Sequence, residues 1–237
     1  MSTPLADLMR PQSIDEVVGQ QHILGKDGIL YRIAQSGTVP NLIFYGPPGT
    51  GKTTVARIIA KQAGKKLYKL NGTTASTADL KEIISSLDTF EGMNGVVLYL
   101  DEIQYLNKKQ QQTLLEFLEN GQITLIASTT ENPYFYIYNA IISRSTVFEF
   151  KAVDPEEIEK ALARGVEILR EECAQQGLSL KLEDHVLQSI ALSCGGDVRK
   201  SINTLEIAYL AAAVQDGEKI ISDATDLLRK DTLQKAG

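Results

Sequence analysis

A chain of 237 residues, 43% hydrophobic and 23% charged, has ordinary globular composition and length for one large domain, or a large and a small one. No apolar run approaches the ~18 residues of a membrane span and no secretion-signal core opens the chain, so a cytoplasmic protein with no membrane partner is expected. The net charge of −6 is uneven, 13 Lys+Arg against 14 Asp+Glu in residues 1–150 and 11 against 16 in 151–237, which excludes a uniformly basic surface and leaves nucleic acid only a local patch.

Residues 1–40 open irregularly. Pro4 to Pro11 carries no period, Ser13 to Gln20 has a helix-start signal with little room to continue, and Gly25 to Ile33 predicts a short amphipathic helix. Such a lead-in either covers the edge of the core that follows or lends backbone amides and apolar side chains to an adenine. Asn41 to Tyr45 then reads as a buried strand, followed by Gly46-Pro47-Pro48-Gly49-Thr50-Gly51-Lys52-Thr53-Thr54 and a helix to Ala63. Next come a strand at 67–70, a helix at 78–87, a fully apolar strand at 96–102 closed by two carboxylates, a helix at 108–119, and strands at 123–130 and 146–150. Strands alternating with helices predict a parallel, doubly wound α/β sheet with its ligand at the carboxyl ends of the strands. From Asp154 the pattern turns helical, with Pro155 starting a helix to about Gln176 and further helices near 183–194, 197–214 and 222–230. This region carries no strand signal. The expected division is a core at 1–153 and a helical bundle at 154–237.

Gly-x-x-x-x-Gly-Lys-Thr between a strand and a helix is a phosphate-binding loop in the context it requires. Gly46, Gly49 and Gly51 let the backbone turn tightly and aim amides at phosphate oxygens, with the helix N-terminus behind them. Lys52 would reach the β- and γ-phosphates and Thr53 would offer its hydroxyl to Mg²⁺. Asp101 can join the Mg²⁺ shell, and Glu102 can orient and polarise a water attacking the γ-phosphate. A solvated Asp-Glu pair opening a helix is the alternative. Thr129, at the end of the next strand, is either a residue of high β-propensity or a hydroxyl in touch with the γ-phosphate or its attacking water. Arg144 is a surface charge after a helix or a finger for a neighbouring subunit's γ-phosphate, and Arg199, in the first turn of a helix capped by Asp197, is solvated or compensated by a phosphate. Tyr134, Phe135, Tyr136 and Tyr138 form a packed aromatic loop or a stacking surface for single-stranded bases, the former favoured. Lys108 and Lys109 are a solvated helix end or a phosphate contact.

As a set, Arg10-Pro11 with Asp15 to Gln20, the Gly46–Thr53 loop, Asp101-Glu102-Ile103-Gln104, Thr129-Thr130-Glu131-Asn132-Pro133, Ser143-Arg144 and Gly196-Asp197-Val198-Arg199 resemble the replication-associated recombination protein A (RarA, or MgsA) family of AAA+ ATPases, akin to the clamp-loader and RuvB branches. The resemblance covers residues 4–230 and implies a P-loop NTPase core with a five-stranded parallel sheet and a small all-helical lid. It implies that Lys52 and Thr53 belong to Walker A, Asp101 and Glu102 to Walker B, Thr129 to sensor 1, Arg144 to a trans-acting arginine finger and Arg199 to sensor 2. Asn71 would be a polar switch residue, and Val17 and Val18 would lie on the adenine side. ATP and Mg²⁺ are the implied cofactors; forked or single-stranded/duplex DNA, single-strand-binding protein and further copies of the chain are the implied partners. Family members continue into a C-terminal helical domain that drives tetramer formation. With Arg144 serving a neighbour, a piece ending at Gly237 is expected to bind ATP yet hydrolyse it weakly. The function implied is ATP-dependent action on DNA at stalled forks or recombination intermediates. Its rivals are a nucleotide-gated interaction module, a clamp-loader subunit and a Holliday-junction branch-migration motor.

Overall fold

The computed structural model describes residues 3–85, 95–121 and 123–222, which fall into two units: Gln12–Lys151, and the residues up to Pro11 together with those from Ala152 onward. In chain order, α1 (Leu5–Leu8) belongs to the second unit, and the first contains a 3-10 turn (Ile14–Glu16), α2 (Gln21–Leu24), α3 (Ile29–Ser36), β1 (Leu42–Tyr45), α4 (Lys52–Gln62) and β2 (Lys66–Asn71). It continues through α5 (Thr77–Ser85), β3 (Val96–Asp101), a 3-10 turn (Ile103–Tyr105), α6 (Lys108–Glu119), β4 (Ile123–Thr129), α7 (Pro133–Tyr136), α8 (Asn139–Ile142) and β5 (Thr146–Glu149).

The five strands form a parallel sheet in the order β2-β3-β4-β1-β5. Alternation along each central strand sends Leu42, Phe44, Val97, Tyr99 and Ile126 to one face, where they pack with Val55, Ala56 and Ile59 of α4. Ile43, Val96, Leu98, Leu100, Leu125 and Ala127 go to the other, against Leu80 of α5 and Leu114 and Leu118 of α6. Because both faces are covered, the strands are apolar throughout, which is why β3 is an unbroken apolar run up to its terminal carboxylate. A capping box starts α6: Asn107 Oδ1 accepts from Gln110 N and Gln110 Oε1 from Asn107 N, both at 2.9 Å, a device worth about 1 kcal/mol.

The second unit packs α9 (Pro155–Gln175), α10 (Val186–Ser193) and α11 (Val198–Ala211) around Ile158, Leu162, Leu169, Ile190 and Leu205. Two expectations are corrected here. The unit is not all helical: β6 (Ser179–Leu182), β7 (Ala213–Gln215) and β8 (Glu218–Ile221) form a three-stranded sheet in the order β6-β8-β7. Asp216 (φ 49°) and Gly217 (φ 80°) make the two-residue turn joining β7 to β8, so an Asp-Gly hairpin ends α11 at Ala211 although helical periodicity runs on to residue 214. The lead-in up to Pro11 also leaves the core to which sequence assigned it. Leu5 is fully buried in the second unit's cluster and its N–H donates to Glu206 Oε1 at 3.0 Å, a pairing of residues 201 apart that no local pattern reveals. The end of the helix expected at 78–87, beyond Ser85, and the helix expected at 222–230, beyond Ser222, lie outside the described residues. Among the described residues no helix is long and apolar enough to cross a membrane.

Candidate functional site

The loop from Gly46 to Gly51 joins β1 to α4 at the carboxyl edge of the sheet. Gly46 stands at φ 135°, and a Cβ there would lie 1.9 Å from the carbonyl oxygen of Phe150, so the close approach of β1's end to β5's end admits only glycine. Lys52 is buried; its Nζ donates to the carbonyls of Gly46 at 2.7 Å and Pro47 at 2.6 Å, and Thr50 Oγ1 donates to Pro47 at 2.9 Å. Pro47 and Pro48 lie exposed on the rim, Thr53 and Thr54 half-buried in the first turn of α4. The first amides of α4 have no partner within the helix and point toward the loop, the arrangement that binds anions.

The register brings the other strand ends to the same edge: Asn71 pairs with Asp101, and Tyr45 with Thr129, whose carbonyl accepts from Gly46 N at 3.2 Å. Between them runs a network of hydroxyls. Tyr99 OH is hydrogen-bonded to Thr53 Oγ1 at 2.9 Å and donates to Ser128 Oγ at 2.8 Å, while Asp101 Oδ1 accepts from Ser128 at 2.5 Å and from Tyr99 at 3.3 Å. Burial, reinforced by the charge of Asp101, pushes the Tyr99 phenol far above its ordinary value, so it stays a neutral donor and acceptor across the whole working range. Thus Thr53 and Asp101, the two residues proposed from sequence for a cation, meet at one hydroxyl. Tyr99 and Ser128 were not singled out in the sequence; the available signal was a tyrosine in an aliphatic strand two residues before Asp101, and therefore on the same side.

Glu102 follows in the left-handed conformation (φ 53°, ψ 49°), and its Oε2 accepts from Gln104 Nε2 at 2.5 Å. Asn71 Oδ1 instead accepts from Thr73 N at 2.9 Å and Thr73 Oγ1 at 2.7 Å. Thr129 is buried and its Oγ1 accepts from Glu131 N at 3.0 Å. Arg144, after α8, is paired with Glu119 at 2.6 Å and donates to Ala140 O at 2.9 Å. Val17 and Val18 are half-buried, Val17 packing on the α4 side of the core. Buried Gln20, quoted in the sequence as part of the resemblance but given no role of its own, clasps the end of β5: its Nε2 donates to Lys151 O at 2.7 Å and its Oε1 accepts from Lys151 N at 2.9 Å. The lead-in from Gln12 therefore lies beside the phosphate loop. In the second unit, Arg199 is exposed in the first turn of α11, where Asp197 Oδ1 accepts from Lys200 N at 2.8 Å.

The aromatic stretch departs from expectation. Tyr134, Phe135 and Tyr136 are exposed by 60%, 79% and 51%, so they form a surface and not a packed loop. The buried Gln111 explains it: Nε2 donates to Tyr136 O and Oε1 accepts from Tyr138 N, fixing α7 by its backbone and leaving its rings outward. Lys108 and Lys109, also exposed, lie in the first turn of the helix that carries Gln111.

Residues 42–153 match the ATPase family associated with various cellular activities (AAA). With that match, the parallel sheet and the loop at its edge define an AAA ATPase module, a nucleotide-binding one. Over 217 residues the chain is 41% identical to replication-associated recombination protein A of Bacillus subtilis (strain 168), covering 91% of this chain and 50% of that protein. The protein of the same name from Escherichia coli (strain K12) is 35% identical over 217 residues, with 91% and 48% covered. The Thermotoga maritima RuvB Holliday junction branch migration motor superposes with a TM-score of 0.68 at 26% identity, covering 95% of this chain and 73% of that one. The chain is similar over about nine-tenths of its length to proteins named replication-associated recombination protein A, and it spans about half the length of the curated relatives it matches.

Proposed function

We propose that the chain is the ATP-hydrolysing part of a cytoplasmic protein that acts on DNA at stalled replication forks or recombination intermediates. The observation that carries the reading is the meeting of the phosphate loop, the Thr53–Tyr99–Asp101 hydroxyl network and Glu102 at one sheet edge. Lys52 and the amides from Gly49 to Thr54 bind the phosphates, with Pro47 and Pro48 holding the loop's shape and Val17 and Val18 on the adenine side. Thr53 and Asp101 fit a magnesium ion: both offer hard oxygens, and they lie 2.9 and 3.3 Å from one shared hydroxyl. When bound, that ion neutralises charge on the β- and γ-phosphates. Glu102 accepts the proton of the attacking water, Thr129 orients that water or the γ-phosphate, and Arg144 completes the site of a neighbouring copy. Arg199 is the residue through which the second unit answers to phosphate state.

The exposed rings of Tyr134, Phe135 and Tyr136, together with Lys108 and Lys109, suit single-stranded bases and their phosphates. Single-strand-binding protein and further copies of the chain, joined through a C-terminal region of the whole protein, are the proposed protein partners. The likeness to RuvB favours a second reading, a branch-migration motor. The test is ATP hydrolysis by the whole protein with and without forked DNA over a salt series. Turnover that rises with DNA and loses that stimulation as salt rises is expected. Negligible, DNA-independent turnover contradicts the proposal and favours a nucleotide-gated module.

A further inference from the structure

Glu102 is held by a side chain of its own turn. Asn71, the polar residue at the end of β2, has its amide oxygen engaged by both the backbone and the hydroxyl of Thr73. The hydrogen bond to Glu102 Oε2 comes from Gln104, two residues further along the same turn.

Three features converge on that contact. Glu102 adopts left-handed backbone geometry, a conformation costly for a side-chain-bearing residue and kept where surrounding structure enforces it. Gly72 makes the geometry feasible: a Cβ there would stand 2.2 Å from Glu102 O, so only glycine lets the end of β2 pass this close. Gln104 Oε1, finally, is buried with no hydrogen-bond partner among the described residues. A buried acceptor left unpaired is unfavourable, and turning the amide over to expose that oxygen to new partners would set it against the carboxylate, acceptor to acceptor. The amide is thus oriented by Glu102, with its N–H committed to one carboxylate oxygen.

We propose that Gln104 is the positioning residue of Glu102: it anchors Oε2 so that Oε1 faces the attacking water. This inference rests on the reading of Glu102 as the base. A carboxylate free to rotate misplaces its accepting oxygen by about an ångström or more, and such displacements cost about 10- to 100-fold in rate.

Two measurements test it. In the whole protein, Gln104→Met keeps the length of the side chain and removes the donor; kcat is expected to fall at least about tenfold while KM and nucleotide affinity stay within about twofold. Unchanged kcat, or a loss of nucleotide affinity in step with kcat, overturns the proposal. The second needs neither turnover nor that variant: in the nucleotide-free chain, the side-chain amide protons of Gln104, observed by ¹⁵N NMR, should lose their downfield position in Glu102→Ala and keep it in Asn71→Ala. A Gln104 resonance indifferent to Glu102→Ala overturns the proposal. A wild-type protein that hydrolyses no ATP overturns the base reading instead, and the resonance keeps the two failures apart.

Discussion

The two units place their buried polar groups differently. In the first, Gln20, Thr50, Lys52, Ser128 and Thr129 are buried near the carboxyl ends of the strands, and Gln20 and Ser128 are bonded across elements to groups far away in sequence. In the second, Ser201 and Thr204 are buried and bond back to Asp197 O at 2.8 Å and Lys200 O at 2.9 Å, with Cys194 Sγ 4.0 Å from Thr204 Oγ1. One unit concentrates polar groups where chemistry needs them, and the other uses its few to satisfy a helix. The tyrosines repeat the contrast: Tyr99 bonds three residues of the site, whereas buried Tyr209 takes a hydrogen bond from Cys173 at 3.5 Å.

The sharpest way to break this comparison uses glycines. Gly46→Ala sets a Cβ against Phe150 O and should destabilise the first unit by about 3 kcal/mol or more, whereas Gly177→Ala in the second, at φ 72° with nothing within 4 Å, should cost about 1 kcal/mol. Urea denaturation of both variants measures the difference, and equal losses would deny that the β1–β5 approach constrains the loop. Next in size, Lys52→Ala should weaken labelled-ATP binding by about 100-fold, read by fluorescence anisotropy, with little change in the second unit's stability.

Tyr99→Phe comes third. Losing the hydroxyl leaves Thr53, Ser128 and Asp101 each short of a partner and should cost about 1–2 kcal/mol. Its pH signature has a definite sign. The folded-state phenol titrates above its unfolded value of 10.0, so its contribution is intact below pH 10 and is lost as pH rises through that value and beyond. Stability should therefore fall above pH 10 more gently in Tyr99→Phe than in the wild type, though not become flat, because Tyr209 is shifted the same way by burial. The smallest structural effect belongs to Phe135→Ala: a ring exposed by 79% contributes within about 0.5 kcal/mol to stability, while affinity for single-stranded DNA should drop about tenfold if the ring stacks on a base. Unchanged affinity in a titration would remove α7 from the DNA surface.

What the sequence made legible follows the same division. The sheet was readable because parallel strands covered on both faces are apolar throughout and end on punctuated chemistry, as Val96 to Asp101 do. The phosphate loop was readable because its glycines and lysine carry their own spacing. The three-stranded sheet of the second unit was not, since its strands are short and mostly exposed or half-buried, and helical periodicity outweighed the Asp216-Gly217 turn. Leu5 was assigned to the wrong unit because its burial depends on residues near 206, beyond any local window. Tyr99 and Ser128 escaped for a related reason, each reading as strand filler until the fold sets it beside Thr53 and Asp101, and Gln104, quoted with the Asp101-Glu102 motif, had no role until the fold set it on Glu102.

The central claim is that the strand ends of the first unit form a hydrolytic site with Glu102 as its base. The direct measurement is Glu102→Gln in the whole protein, with ATP affinity and steady-state turnover determined on the same preparation. The account predicts affinity within about twofold of wild type and a fall in turnover of about 100-fold or more. Turnover at the wild-type rate would contradict it.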